Sequence, residues 1–240
     1  MWKILLIIPL LLPLSSFGQG AGGHIDHTIN IGEMLRATPE QINSMNGGAY
    51  GTQGTPYVFT EFKKGNIHFS NMTRVSNYMM NYDCFNNQLI FKEGNEYYVI
   101  EPIKINYIEF QHLPDSTILF RQVFLEDKKK IILMEILYEG ESTLYKYHSK
   151  AFYKADYTGA YSRDIRYDEY EDEYTWYIDT GSEGIRRLRP KKKTVLKIME
   201  PASAEIEQYL KKEKPDLKSD EELIRLVEYH DKQTGPTQFQ

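Results

Sequence analysis

The sequence is poor in several features that announce a function. Its 240 residues contain one cysteine, Cys84, so no internal disulfide can form and stability must come from packing. The longest apolar run, Ile4 to Leu14, falls short of the roughly 20 residues that a membrane helix needs. Positive charge is not in excess. Against 34 Asp and Glu there are 29 Lys and Arg, a formal charge of −5, which argues against a chain built as a nucleic-acid-binding domain. No Ser lies in a nucleophile elbow, which needs a strand, the Ser and then a helix. Thr180-Gly181-Ser182-Glu183-Gly184 has the glycines without the helix.

What is present begins at the N-terminus. Lys3 precedes the apolar run, and small residues follow at Ser16 and Gly18, the pattern of a secretory signal peptide over residues 1–18, cut after Gly18. The expectation is a periplasmic or secreted protein of the cell envelope, with no membrane span after removal of the signal. In such a compartment a lone cysteine is either buried or paired with another molecule, and burial suits Cys84, a small hydrophobe. Residues 19–54 read as a flexible, Gly-rich leader, with room for a short helix over Ile31–Arg36 or after Thr38-Pro39.

From Thr55 the composition changes. Runs rich in β-branched and aromatic residues flank Lys63-Lys64-Gly65, Glu93-Gly94-Asn95 and Glu139-Gly140-Glu141, the signature of β-hairpins. KINYIEF and TILFRQVFLE read as two more strands around Leu113-Pro114-Asp115. Residues 55–190 are therefore expected to form an antiparallel meander, either a curved sheet or a small soluble barrel. Over 191–234 the period becomes helical. Thr194 is placed to cap a first turn, Ile206, Tyr209 and Leu210 share a face, and Ser219 with Glu222 spells a capping box before a helix bearing Leu223, Leu226, Val227 and His230. The fold class expected is mainly β (α+β), with a C-terminal helical hairpin packed on the sheet and a frayed tail at 235–240.

The stretches Gly54-Thr55-Pro56-Tyr57, Leu89-Ile90-Phe91-Lys92 and Ile136-Leu137-Tyr138-Glu139-Gly140, with Leu144-Tyr145, are turn glycines and core aromatics. In these the chain resembles a group of uncharacterised secreted proteins of Bacteroidota that have a signal peptide, a β-rich body and a helical C-terminus. The resemblance implies fold and location, and no site residues.

Candidate chemistry is sparse. His24, Asp26 and His27 are weak metal-ligand candidates, since a site wants three or four ligands in fixed geometry and glycines surround these. No cofactor is implied. Ser116, in Asp115-Ser116-Thr117, is a candidate O-glycosylation site in a turn. Asp168, Glu169, Glu171, Asp172 and Glu173 supply carboxylates for a hydrolase of envelope or extracellular polymers. Tyr153, Tyr157, Tyr161 and Tyr167 with Trp176 are candidates for a binding platform. A hairpin about Asp179–Gly184 would set Glu171–Glu173 opposite Pro190–Lys192, so that acids and cations neutralise one another. The function expected is a non-enzymatic binding or scaffold module whose partner is an envelope protein, peptide or glycan, with the hydrolase as the alternative.

Overall fold

The computed structural model describes residues 35–36, 52–155, 167–200 and 202–234. Eleven strands form one sheet: β1 (Leu35–Arg36), β2 (Lys63–Phe69), β3 (Arg74–Asp83), β4 (Gln88–Glu93), β5 (Glu96–Ile100), β6 (Ile105–Leu113), β7 (Ser116–Leu125), β8 (Lys130–Glu139), β9 (Thr143–Tyr153), β10 (Glu169–Asp179) and β11 (Ile185–Leu188). Their order is β1-β5-β4-β3-β2-β6-β7-β8-β9-β10-β11. Strands β2 to β5 run outward as one meander. A 3-10 turn at Pro102–Lys104 then returns the chain to the free edge of β2, and β6 to β11 run outward the other way. All these pairings are antiparallel. The sheet is curved and does not close into a barrel.

Alternation along the strands divides the core. Ile67, Tyr82, Leu89, Ile108, Phe110 and Phe120 fill one buried cluster, while Val123, Ile132, Met134 and Tyr177 form another on the opposite face of the later strands. A third joins Leu144, Ile178 and Leu188 to helices α1 (Lys192–Ile198), α2 (Ser203–Glu213) and α3 (Asp220–Thr234). In α3, Leu223, Leu226 and Val227 are buried at helical spacing, each contributing about 1.5–3 kcal/mol. Both ends of α3 are fixed by carboxylates. Asp220 accepts from Lys146 Nζ at 2.5 Å and Trp176 Nε1 at 2.7 Å. Asp231 accepts from Tyr138 Oη at 3.1 Å and from the Ser142 amide at 2.9 Å. Burial works to raise the Asp231 pKa, but hydrogen bonds from Ser142, His230 and Tyr138 outweigh it and hold the carboxyl below its ordinary value.

The sheet splits between β8 and β9. Their pairing stops at Glu135↔Lys146, yet β9 and β10 stay paired as far as Tyr153↔Glu169. This leaves the β8 backbone at Ile131 and Leu133 without a partner from β9, and the end of β3 with the turn after it supplies one. Tyr82 Oη accepts the Leu133 N–H at 3.4 Å and donates to Asn87 Oδ1 at 2.6 Å; Asn87 Nδ2 donates to the Ile131 carbonyl at 3.0 Å. Segment 53–58 straps this turn to β10. Gln53 exchanges backbone hydrogen bonds with Asp168 and Tyr170, and Val58 N–H reaches the Tyr82 carbonyl at 2.9 Å. Gly54 has φ +73° and lies so close to the Tyr170 carbonyl that a Cβ would collide with it.

Several expectations need correction. Lys63-Lys64-Gly65 is not a turn but the start of β2. Gly65 lies at a bulge where a Cβ would strike the Glu109 carbonyl and the Met80 methyl, so close approach requires the glycine there. The turn lies later, with Met72 at φ 67° and Phe69 N–H bonded to the Thr73 carbonyl. Leu35–Arg36 is strand, paired with β5, within the stretch read as a flexible leader with room for a short helix. Lys191, not Thr194, is the N-cap of α1. Only half of the capping box forms. Ser219 Oγ accepts the Glu222 N–H at 3.4 Å, but its own proton goes to Glu221.

Tyr82→Phe removes the acceptor of the Leu133 N–H and the donor to Asn87 while keeping the ring. Leaving buried groups unpaired costs about 1–3 kcal/mol each, so the urea midpoint falls without a change in slope.

Candidate functional site

Paired residues share a face of a sheet, so the β9–β10 register defines a strip. Along it stand Leu144/Ile178, Lys146/Trp176, His148/Tyr174, Lys150/Asp172 and Phe152/Tyr170. Its character changes from end to end. Leu144 and Ile178 lie under the helices, and Lys146 follows, tied to Asp220 with its Nζ 4.3 Å from the Tyr174 ring centroid. His148 Nε2 is 2.6 Å from Glu135 of β8, and the imidazole meets Tyr174 edge to face at 5.3 Å. Lys150, its side chain only 4% exposed, pairs with Asp172 at 2.5 Å, and Asp172 opens to solvent. Without that partner the buried ammonium would be strongly destabilising.

The far end is aromatic. Phe152 and Tyr170 lie 4.8 Å apart, and Phe85 from the β3–β4 turn packs on both, at 6.2 and 5.3 Å. Such ring pairs contribute about 0.5–1.5 kcal/mol each beyond area burial, yet Phe85 and Phe152 remain 42% and 40% exposed. The strap and the split place this trio, because Phe85 follows the Tyr82 anchor and its amide bonds to the Pro56 carbonyl. Cys84 is buried beneath, its thiol donating to the same carbonyl at 3.4 Å. Burial pushes the thiol up to about 12, with Lys150 only partly opposing. The strip therefore offers ion-paired side chains beside exposed ring faces, and an inert thiol.

The predicted residues are dispersed. Tyr153 and Tyr167 are exposed near this end, but Tyr153 is on the opposite face from Trp176, whose indole packs against the helices and bonds to Asp220. Tyr157, Tyr161, His24, Asp26 and His27 lie outside the described residues. Among the described residues no group of three or more His, Cys, Asp and Glu is placed to hold a metal ion. Ser116 opens β7, its hydroxyl accepting the Leu113 N–H at 3.2 Å, and it borders a polar depression of about 220 Å³ with Lys64, Asn66 and Glu109. The acidic run does not converge. Strand alternation sends Glu169, Glu171 and Glu173 to one face and Asp172 to the other, while Asp168 accepts the Ala155 N–H.

The β10–β11 hairpin forms as expected, with Trp176↔Leu188 and Asp179↔Ile185. Its longer extension does not. β11 ends at Leu188, and Glu171–Glu173 lie opposite Ala151, Lys150 and Ser149 of β9 instead. Lys192 pairs with Glu207 of α2. Phe85, Phe152, His148, Lys150 and Glu135 were missed, although the alternation Lys146, His148, Lys150, Phe152 in β9 mirrors Trp176, Tyr174, Asp172, Tyr170 in β10.

Compared with known proteins, the chain matches no family model, no curated protein and no solved structure.

With its thiol raised to about 12, Cys84 resists iodoacetamide at pH 8 in the folded protein and is alkylated fully after guanidinium unfolding; rapid native alkylation would place it at the surface.

Proposed function

We propose that the protein is a non-enzymatic binding module of the cell envelope, exported to the periplasm or beyond, that holds a glycan or peptide on the Phe85–Phe152–Tyr170 platform. The observation that carries this reading is the exposure of two mutually packed rings contributed by elements far apart in sequence. Large apolar side chains left open together mark interaction surfaces. The neighbouring Asp172 carboxylate and the Tyr174 hydroxyl supply polar contacts at the platform's edge, the mix of apolar face and few polar groups that orients a ligand. The N-terminal signal pattern supports the location.

The hydrolase alternative has one observation in its favour, the close Glu135–His148 pair beside Lys146 and Asp220. It then requires His148 as the working base, not the acids of residues 168–173.

Affinity electrophoresis through gels containing soluble polysaccharides, and titration with peptidoglycan fragments, test the two. Phe85→Ala with Phe152→Ala weakens retention at least tenfold while His148→Ala does not. Hydrolysis of any of these polymers that disappears in His148→Ala would replace binding by catalysis.

A further inference from the structure

Strand β10 has a stretch of open edge. On its inner side the pairing with β9 is unbroken from Glu169 to Asp179. On its outer side two neighbours hold only the ends. Gln53 N–H donates to the Asp168 carbonyl at 2.7 Å, and the Gln53 carbonyl accepts the Tyr170 N–H at 2.9 Å. At the other end the pairing with β11 stops at Trp176↔Leu188. Backbone groups face alternate sides along a strand, and the regular β9–β10 register carries that alternation on from Tyr170. The N–H and C=O of Asp172 and of Tyr174 therefore point outward, and among the described residues no strand meets them.

Both ends of this gap are fixed. Gly54, in the left-handed region at φ +73° with the Tyr170 carbonyl against it, turns the chain away from the edge toward the Tyr82 turn. Leu188 closes β11, and Pro190, which lacks an N–H, cannot extend its ladder. Between Tyr170 and Trp176 lie residues 171–175, about 17 Å of edge at roughly 3.3 Å per residue. Glu171 to Tyr174 are exposed.

An unpaired edge is a template for another strand, and charges commonly guard it against self-pairing. Here charge also selects a partner. Glu171 and Glu173 project on one face opposite neutral Ala151 and Ser149, and among the described residues neither makes an ion pair. Arg187, opposite Tyr177, and Lys128, over the Tyr147 ring, share that face but lie toward the Thr175 end of the gap. On the other face Lys150 neutralises Asp172, between the Tyr170 ring and the exposed Tyr174 ring. A second copy of β10 would set carboxylates against carboxylates, which disfavours self-pairing and suits a strand with cations at alternate positions.

We infer that this edge takes up an extended peptide as an added strand, with alternate residues basic and facing Glu171 and Glu173, and the residues between them apolar and facing the Tyr170 and Tyr174 rings. Main-chain hydrogen bonds to Asp172 and Tyr174 hold the peptide, and its side chains set the choice of sequence. The site adjoins the Phe85–Phe152–Tyr170 platform but does not rest on it, since a glycan stacked on those rings leaves the backbone groups of the edge unused.

Amide hydrogen exchange of the full chain, followed by NMR with and without an acetylated, amidated heptapeptide of alternating Val and Lys, tests the inference. In the free protein the Asp172 and Tyr174 amides exchange at the rate of an open edge; slow exchange would mean that the edge is already paired and would overturn the inference. With the peptide they slow at least tenfold, and a heptapeptide of alternating Val and Glu has no such effect. Glu171→Lys with Glu173→Lys, both exposed, reverses this preference. N-methylation of the peptide at its Val or at its Lys positions separates backbone pairing from charge alone, because only one set of its amides faces the edge. One methylated series loses binding and the other keeps it. Equal binding by both series, or equal protection by the Glu and Lys peptides, would overturn the inference. Phe85→Ala with Phe152→Ala, which weakens polysaccharide retention, leaves the protection of these amides in place, so failure of the platform and failure of the edge are distinguishable.

Discussion

The Tyr82 hydroxyl bridges the place where β8 and β9 part. Where β9 leaves β8, Leu133 N–H and the Ile131 carbonyl would face an apolar interior unpaired, at a few kcal/mol. Tyr82 and Asn87 take their place, and that fixes the β3–β4 turn in the split. The strap through Gln53, Gly54 and Val58 then has a defined seat between the turn and β10. Burial keeps the Tyr82 phenol far above its ordinary pKa, so it remains both donor and acceptor across the physiological range.

The exposed ring cluster follows from that geometry. Phe85 rides on the anchored turn and meets Phe152 and Tyr170, so the platform exists because the split is filled. Between platform and helices, the ion pairs Lys150–Asp172 and Lys146–Asp220 and the close His148–Glu135 contact form a polar layer separating exposed rings from the helix-covered core. Because β10 sets Glu171–Glu173 opposite Ala151, Lys150 and Ser149 of β9, the basic run at β11 and α1 finds its partners elsewhere, Arg186 with Glu183 and Lys192 with Glu207. The same register thus brings Phe152 beside Tyr170 and sets the acids of β10 against β9.

Much of the sheet was legible. Gly94 at φ 60° and the Pro114 and Gly140 turns lie where alternation changes to turn chemistry, and β4 to β9 follow. Strand β3 was hidden, because Met80, Asn81, Tyr82 and Asp83 are all buried and show no alternation. Asn81 is satisfied there by long-range bonds to Phe59 and Glu61, before β2, which no local pattern reveals. The β9–β10 pairing was hidden by the 154–168 connection, too long to fix a register. Misplacing it turned an acidic strand edge into the partner of the wrong basic residues. The exposed platform was invisible for the same reason, since its rings come from three segments.

The amide of Leu133 gives the most direct measurement of the anchoring. It sits on a strand side that β9 has abandoned, so its hydrogen exchange depends on Tyr82. The account predicts exchange as slow as that of the ladder amides of β7 and β8, limited by global unfolding. Exchange at the rate of an open sheet edge would contradict it, and with it the placement of the turn that carries Phe85.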